Sequence, residues 1–380
     1  MSCLCLVLCL VAGAAAAEEA GTIRMTPVKV ISYAGGLSWV VAEGRGEPDL
    51  EGRVRVGEPA SVVEGSLHVG TRDGGALRSV VVSRGDPVEA DAGRVLRITL
   101  EKPGNRVHLT MEWITRQVSW RPIYRLDVTD PKKAMLRMDA ELQNELDHLA
   151  GTEVSLATAT LATAGWQGDP SVTPDPFLYG PLEVDLRRGE RGLYPLLDRE
   201  VSCREVFLLE VTDDDVRGRN APRVRRSLRF ENSTPGPLAE GLVTVVAGSR
   251  PLGQGRIAHT PPADEARIVL GPAAEVDGRV SESLVDRFPA AARVGERLMD
   301  RHTMDGVISL RNTTTRKVRV HVERRLAGTL RRADRQARVR TLPAGDGDAN
   351  PVTVLSWDLE LPAAGDAELT YRHRVLWPAE

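Results

Sequence analysis

Residues 134–143 read AMLRMDAELQ, and this stretch decides the fold class. Ala134, Leu136, Met138, Ala140 and Leu142 alternate with Met135, Arg137, Asp139, Glu141 and Gln143, so an extended chain puts one set on each face. One face is apolar and the other is wet, the pattern of an antiparallel strand. The same period of two recurs on both sides. Val107, Leu109, Met111 and Trp113 alternate with His108, Thr110 and Glu112, and Val224, Arg226, Leu228 and Phe230 form a less regular run. Further on, Val318, Val320 and Val322 alternate with Lys317, Arg319, His321 and Glu323. Leu355, Trp357, Leu359 and Leu361, and then Leu369, Tyr371, Val375 and Trp377, continue the theme. With 35 glycines and 24 prolines to punctuate these runs, the chain is predicted to be all-β, built from several antiparallel sheets.

A chain of 380 residues is long enough for two or three domains, each with its own core. The breaks in the pattern place an N-terminal β-domain over residues 18–118, a central β-rich domain over 119–304, and a C-terminal immunoglobulin-like β-sandwich over 305–380. Residues 165–195 carry Pro170, Pro174, Pro176, Pro181 and Pro195 with several glycines, which predicts a long surface excursion. Residues 290–298, AAARVGERL, predict a short helix that Gly295 weakens.

Hydrophobic residues at 42% and charged residues at 27% belong to a folded globular protein. A formal net charge of -3 argues against a nucleic-acid partner, because neutralising many phosphates needs a basic excess. Only Lys29, Lys102, Lys132, Lys133 and Lys317 of the fifty cations are lysines, a bias that points to a GC-rich genome.

Residues 1–17, MSCLCLVLCLVAGAAAA, hold an apolar run too short to span a bilayer and end in Ala15-Ala16-Ala17 before Glu18. This is the pattern of a signal peptide with an A-x-A cleavage site. No Lys or Arg precedes the run, a departure that a start codon upstream of Met1 would explain. Cys9 follows Leu8 rather than a small residue, which disfavours a lipid anchor. No other stretch approaches the ~20 apolar residues of a spanning helix, so the mature chain is expected to lack a transmembrane segment. Cys3, Cys5 and Cys9 leave with the peptide, and the remaining Cys203 sits in an apolar setting that suits a core residue. The expected location is the periplasm, the cell envelope or the medium.

Chemistry-bearing patterns are sparse. The seven histidines are scattered singly, with no metal-ligand spacing. Asp213-Asp214-Asp215 lacks the ligand spacing of a calcium loop and reads as a solvated turn. There is no nucleophile elbow and no glycine-rich phosphate cradle, so no catalytic, metal-binding or cofactor-binding residue is assigned. Asn232-Ser233-Thr234 and Asn312-Thr313-Thr314 fit the glycosylation sequon, which matters only in a eukaryotic secretory pathway.

The most unusual segment is residues 311–340, where eleven Lys or Arg face only Glu323 and Asp334, a net charge of +9. Arg331, Arg332, Arg335 and Arg338 are the candidate contacts for an anionic envelope polysaccharide or lipid head groups, because clustered cations concentrate polyanions. The plainer reading is two solvated strand faces and their hairpin, guarded by charge against edge-to-edge pairing. Another envelope protein is the other candidate partner.

Residues 119–128, SWRPIYRLDV, the alternating strand that ends at Asn144, and residues 154–158, VSLAT, together resemble the bacterial family known as domain of unknown function 4139, which includes mucoidy-inhibitor-like proteins. The resemblance extends over nearly the whole mature chain. It includes the Tyr33-Ala34-Gly35-Gly36 turn, Phe230-Glu231-Asn232, Ala239-Glu240-Gly241, Leu252-Gly253-Gln254, Leu270-Gly271 and the closing residues 371–378. The chain departs from the family pattern after Asn144, where Glu145-Leu146-Asp147 replaces an acidic residue followed by tryptophan, and it lacks a long coiled-coil insert. The resemblance implies a multi-sheet β architecture and an envelope location, with no family-wide catalytic residues. Trp120, Pro122 and Tyr124 share one parity with Leu126 and Val128, so this motif reads as structural.

The leading functional expectation is therefore a non-catalytic envelope protein that binds or scaffolds. The alternative is a carbohydrate-active hydrolase that uses dispersed carboxylates on a β scaffold. Mass spectrometry of the protein from its native host should show a mature N-terminus at Glu18; an intact Met1 in a cytoplasmic fraction would contradict export.

Overall fold

The computed structural model describes residues 21–84, 94–102, 104–161, 177–219, 222–334, 337–345 and 348–379. The expected signal peptide and residues 162–176 of the Pro/Gly-rich excursion lie outside the described residues. The chain forms two compact units, unit 1 from Met1–Arg121 and Ala140–Tyr194, and unit 2 from Pro122–Asp139 and Pro195–Glu380.

The first twelve strands are β1 (Thr26–Tyr33), β2 (Ser38–Gly46), β3 (Arg53–Gly57), β4 (His68–Thr71), β5 (Leu77–Arg84), β6 (Arg94–Leu100), β7 (Val107–Thr115), β8 (Val118–Asp127), β9 (Ala134–Asn144), β10 (Thr152–Ala157), β11 (Leu178–Val184) and β12 (Arg191–Val201). In unit 1 they make a six-stranded sheet in the order β11-β10-β1-β2-β7-β4 and a three-stranded sheet in the order β3-β6-β5. Residues of β8, β9 and β12 belong to both units. The alternation that opened the sequence reading is the burial pattern of β9, whose Ala134, Leu136, Met138, Ala140 and Leu142 have no solvent exposure. In β7 the buried set is Val107, Leu109, Met111, Trp113 and Thr115.

Unit 2 continues with β13 (Arg204–Val211), a single helical turn α1 (Asp213–Val216), β14 (Val224–Glu231), β15 (Gly241–Ala247), β16 (Arg250–Ile257), β17 (Glu265–Pro272), β18 (Val276–Val294), β19 (Arg297–Asn312), β20 (Val318–Ala327), β21 (Thr329–Ala333), β22 (Arg338–Leu342), β23 (Val352–Leu361) and β24 (Asp366–Pro378). A six-stranded sheet, β17-β14-β13-β20-β23-β22, packs on a four-stranded one, β18-β19-β24-β21. Phe207, Leu209, Val318, Val320, Val322 and Trp357 from the first meet Ile308, Leu310, Leu369 and Tyr371 from the second in one apolar core.

The all-β expectation holds, with four differences of detail, the first being that residues 178–184, expected in a surface excursion, form β11 and pair with β10. Three of the five sheets are mixed rather than purely antiparallel, because β1 pairs in parallel with β10, β15 with β8 and β13 with β20. Residues 290–298, expected as a helix, close a long hairpin in which β18 pairs with β19 from Val276↔Asn312 to Val294↔Arg297. Strand pairing overrides the local preference there. Finally, the boundary expected at residue 305 falls inside β19, and the sandwich takes β13, β14, β17 and β18 from earlier in the chain.

Three asparagines end strands by the same device. The buried Asn144 amide donates to Asp147 O and Leu186 O, and its carbonyl accepts from Leu146 N. Asn232 donates to Gly236 O and Thr260 O, and accepts from both donors of Thr234. Asn312 donates to Arg316 O and Pro362 O, and accepts from Thr314 in the same way. The two sequon asparagines are thus turn anchors with their amides inside the fold.

Gly306 stands opposite Tyr371 in the β19–β24 ladder, and a Cβ added there would overlap the Tyr371 ring. Gly306→Val should therefore lose about 1–3 kcal/mol of unfolding free energy through overpacking. Gly271→Ala, at a position with open space, should stay near wild type. Denaturant titration checks both, and equal stability of the two variants would contradict this packing.

Candidate functional site

The four arginines chosen from sequence do not form one face. Arg331 and Arg332 lie on β21, which pairs with β24, whereas Arg338 lies on β22, which pairs with β23 in the other sheet. The hairpin expected between them is absent for that reason, and Arg335 lies outside the described residues. Much of the segment's charge is also neutralised by acids from other strands. Arg316 pairs with Glu205 at 2.5 Å, Lys317 and Arg319 with Glu360 at 2.7 and 3.3 Å, and Arg338 with Asp358.

The Trp120-Arg121-Pro122-Ile123-Tyr124 segment is buried at every second residue. In unit 1, Trp120 is 3% exposed, donates from Nε1 to Ala157 O at 3.2 Å, and meets the Tyr179 ring edge-on at 6.1 Å. In unit 2, the Tyr124 hydroxyl donates to Ala239 O at 2.7 Å, and Gly241 lets Pro122 and Tyr124 approach its backbone where a Cβ would collide. Arg121, on the opposite face, pairs with Glu141, which Arg191 also contacts at 2.7 Å. The hydrogen bond from Arg121 holds the Glu141 carboxyl below its ordinary value.

A third site was missed by sequence reading. Arg324 shares the parity of Val318, Val320 and Val322, so its side chain enters the sandwich core and has no solvent exposure. Its Nε donates to the Tyr371 hydroxyl at 2.9 Å, and its Nη2 to Asp213 Oδ1 and Glu282 Oε1, each at 2.7 Å. Tyr371 in turn donates to Glu282 at 2.5 Å, and His373 Nε2 lies 3.3 Å from the second Glu282 oxygen. Asp213 Oδ2 accepts from Ala327 N at 3.0 Å. Burial by itself would raise the Glu282 carboxyl, but His373, Arg324 and Tyr371 outweigh it and hold it down at about 2. Burial pushes the Tyr371 hydroxyl up. A cavity of about 190 Å³ lies beside this cluster, lined in part by Met304, Val375 and Trp377.

Asp213 and Glu282 touch one nitrogen and so approach the carboxylate spacing of a retaining glycosidase. They are nevertheless poor candidates for that chemistry. A carboxyl held at about 2 is ionised at neutral pH and cannot serve as the general acid, and the oxygens are committed to bonds within the fold.

A concave site exists in unit 1. A pocket of about 310 Å³ has a buried apolar floor of Ile23, Pro27, Val56, Met111, Trp113 and Leu146. Its rim is charged with both signs, carrying Arg24, Glu58, Glu145, Asp147 and Arg188. Glu145-Leu146-Asp147 forms part of this lining. Two lining residues hold shielded polar atoms with no hydrogen-bond partner among the described residues, the Trp113 Nε1–H donor and the Gln117 Oε1 acceptor. The signal for the pocket was not readable from sequence, since its residues come from seven separate segments.

No protein-family model matches the chain, and no curated protein matches it.

The depressed Glu282 carboxyl has a definite linkage sign. Its stabilisation is fully present above the unfolded value of 4.5 and is lost as pH falls through about 2. Glu282→Gln should cost about 3 kcal/mol at pH 7 and flatten the fall in stability between pH 4.5 and 2. Denaturant titrations across that range check this; parallel curves for the two proteins would contradict it.

Proposed function

We propose that this is an exported protein of the bacterial cell envelope that binds a small ligand in the unit 1 pocket and does no chemistry on it. The observation that carries the reading is the pocket itself, an apolar floor under a polar rim, at the lower end of the roughly 300–1,000 Å³ typical of ligand sites. The shielded indole N–H and amide oxygen at its wall each cost about 1–3 kcal/mol while unpaired, so a ligand that brings an acceptor and a donor would relieve both. An amide group offers that pair. Met25 and Met111, adaptable side chains in the lining, suit a pocket that adjusts to its occupant.

Export is supported by the apolar leader with its Ala15-Ala16-Ala17 site, and the envelope location by the resemblance to the domain of unknown function 4139 family. The described residues contain no helix long and apolar enough to cross a membrane. A binding role is favoured over hydrolysis because the Asp213–Glu282 pair is locked by Arg324.

Ligand-observed NMR of the full chain against a set of small amides, including N-acetylglucosamine and N-acetylalanine amide, tests the reading. At least one should give saturable binding that Ala60→Trp, at the exposed pocket rim, removes without lowering the melting temperature. Binding of none, or equal binding to the variant, would contradict it.

A further inference from the structure

We infer that the outer face of the six-stranded sheet in unit 2 binds a phosphate-class oxyanion at a row of three arginines. The row is made by strand register. Arg204 of β13 lies directly opposite Arg229 of β14, and Arg229 lies directly opposite Arg267 of β17. Directly opposed residues point to the same face with Cβ atoms roughly 4.5–5.5 Å apart. That face is turned away from the sandwich core, because Phe207, Leu209 and Val224, which belong to the core, have the opposite orientation in the same register.

Like charges placed side by side in a ladder are destabilising, so the row needs a compensating anion. The protein supplies only part of one. Glu265 pairs with Arg204 and reaches Arg229 Nη1 at 3.4 Å, while Arg267 has no ion pair among the described residues. Arg229 is the anomaly at the centre: it is 7% exposed, between two exposed arginines. Its Nε and Nη2 have no hydrogen-bond partner among the described residues, and neither does the hydroxyl of Ser227, which is fully buried two residues earlier on the same face. Burial, and after it the charge of Arg267, push the Arg229 guanidinium below its ordinary value. A buried cation with unmade hydrogen bonds is costly to a fold, and an external acceptor removes that cost.

A tetrahedral dianion fits these groups better than a single carboxylate does. With Asp358, which pairs with Arg338 and whose charge also reaches Arg229, four arginines against two carboxylates leave two positive charges, which a phosphate dianion neutralises. Its oxygens can accept from the forked donors of Arg204 and Arg267 and from the Arg229 and Ser227 groups beneath. The exposed Arg204 and Arg267 side chains can swing on their flexible stems to admit it. This site is separate from the unit 1 pocket and stands on different residues.

The test uses the folded full chain with inorganic phosphate at constant ionic strength, read by melting temperature and calorimetry. Wild type should show a saturable rise in melting temperature. Arg267→Gln, which breaks no ion pair, and Arg204→Gln/Arg267→Gln should bind phosphate about tenfold or more weakly. Without phosphate, Arg267→Gln should melt no lower than wild type, since like-charge repulsion is relieved. Co-sedimentation with phosphatidic acid vesicles, against phosphatidylcholine vesicles, separates the sources. Retention of wild type but not of the variants assigns the site to a lipid phosphate, and a saturable response to free phosphate without retention assigns it to the soluble anion. No response of wild type in either arm, or a response of the variants equal to that of wild type, overturns the inference.

Discussion

A guanidinium with no access to solvent joins the two sheets of the unit 2 sandwich, and much of that unit is arranged to satisfy it. Arg324 projects from β20 between Glu282 of β18, Tyr371 of β24 and Asp213 of α1. A buried charge is tolerated only when partners surround it, and removal of one partner leaves the others unpaired. The register of β20 is fixed accordingly. A slip of one residue would expose Arg324 and bury Arg325, while moving Val318, Val320 and Val322 out of the core. Even the single turn of α1 belongs to this arrangement, because the Thr212–Asp215 capping contacts, at 2.7 Å, close the turn that presents Asp213 to Arg324.

What the sequence made legible follows from period two. β7 and β24 each bury one face and wet the other, and β9 and β20 do so along most of their length, so their residues announced them, whereas β14 and β23 also bury consecutive residues, 227–230 and 353–355. The far end of the β18–β19 hairpin was hidden because β18 is exposed at every residue from 283 to 290 and has no buried parity there, leaving only the local preference of an Ala-rich run. The parallel pairs were hidden for another reason. Phe207 meets Val320 and Val30 meets Val154, partners more than a hundred residues apart that no local pattern connects.

The sites divide in the same way. The parity of Arg324 with three core valines was visible, and an arginine on an apolar stripe is a readable sign of a buried ion pair. The +9 segment misled because a sum along the chain ignores Glu205, Glu360 and Asp358, which arrive from β13 and β23. Conversely, Arg204, Arg229 and Arg267 are far from one another in sequence and become neighbours only through the register of three strands. Charge density in this protein is a property of the sheet, not of the chain.

Arg324 and Glu282 hold the two sheets of the sandwich together as a pair. A double-mutant cycle of Arg324→Met and Glu282→Leu, with unfolding free energies from denaturant titration at neutral pH, measures that claim. Each single change should cost about 3–5 kcal/mol by stranding a buried charge, and the double change should cost clearly less than the two added together. Additive losses would contradict the account, since they would mean that the two groups stabilise the fold independently.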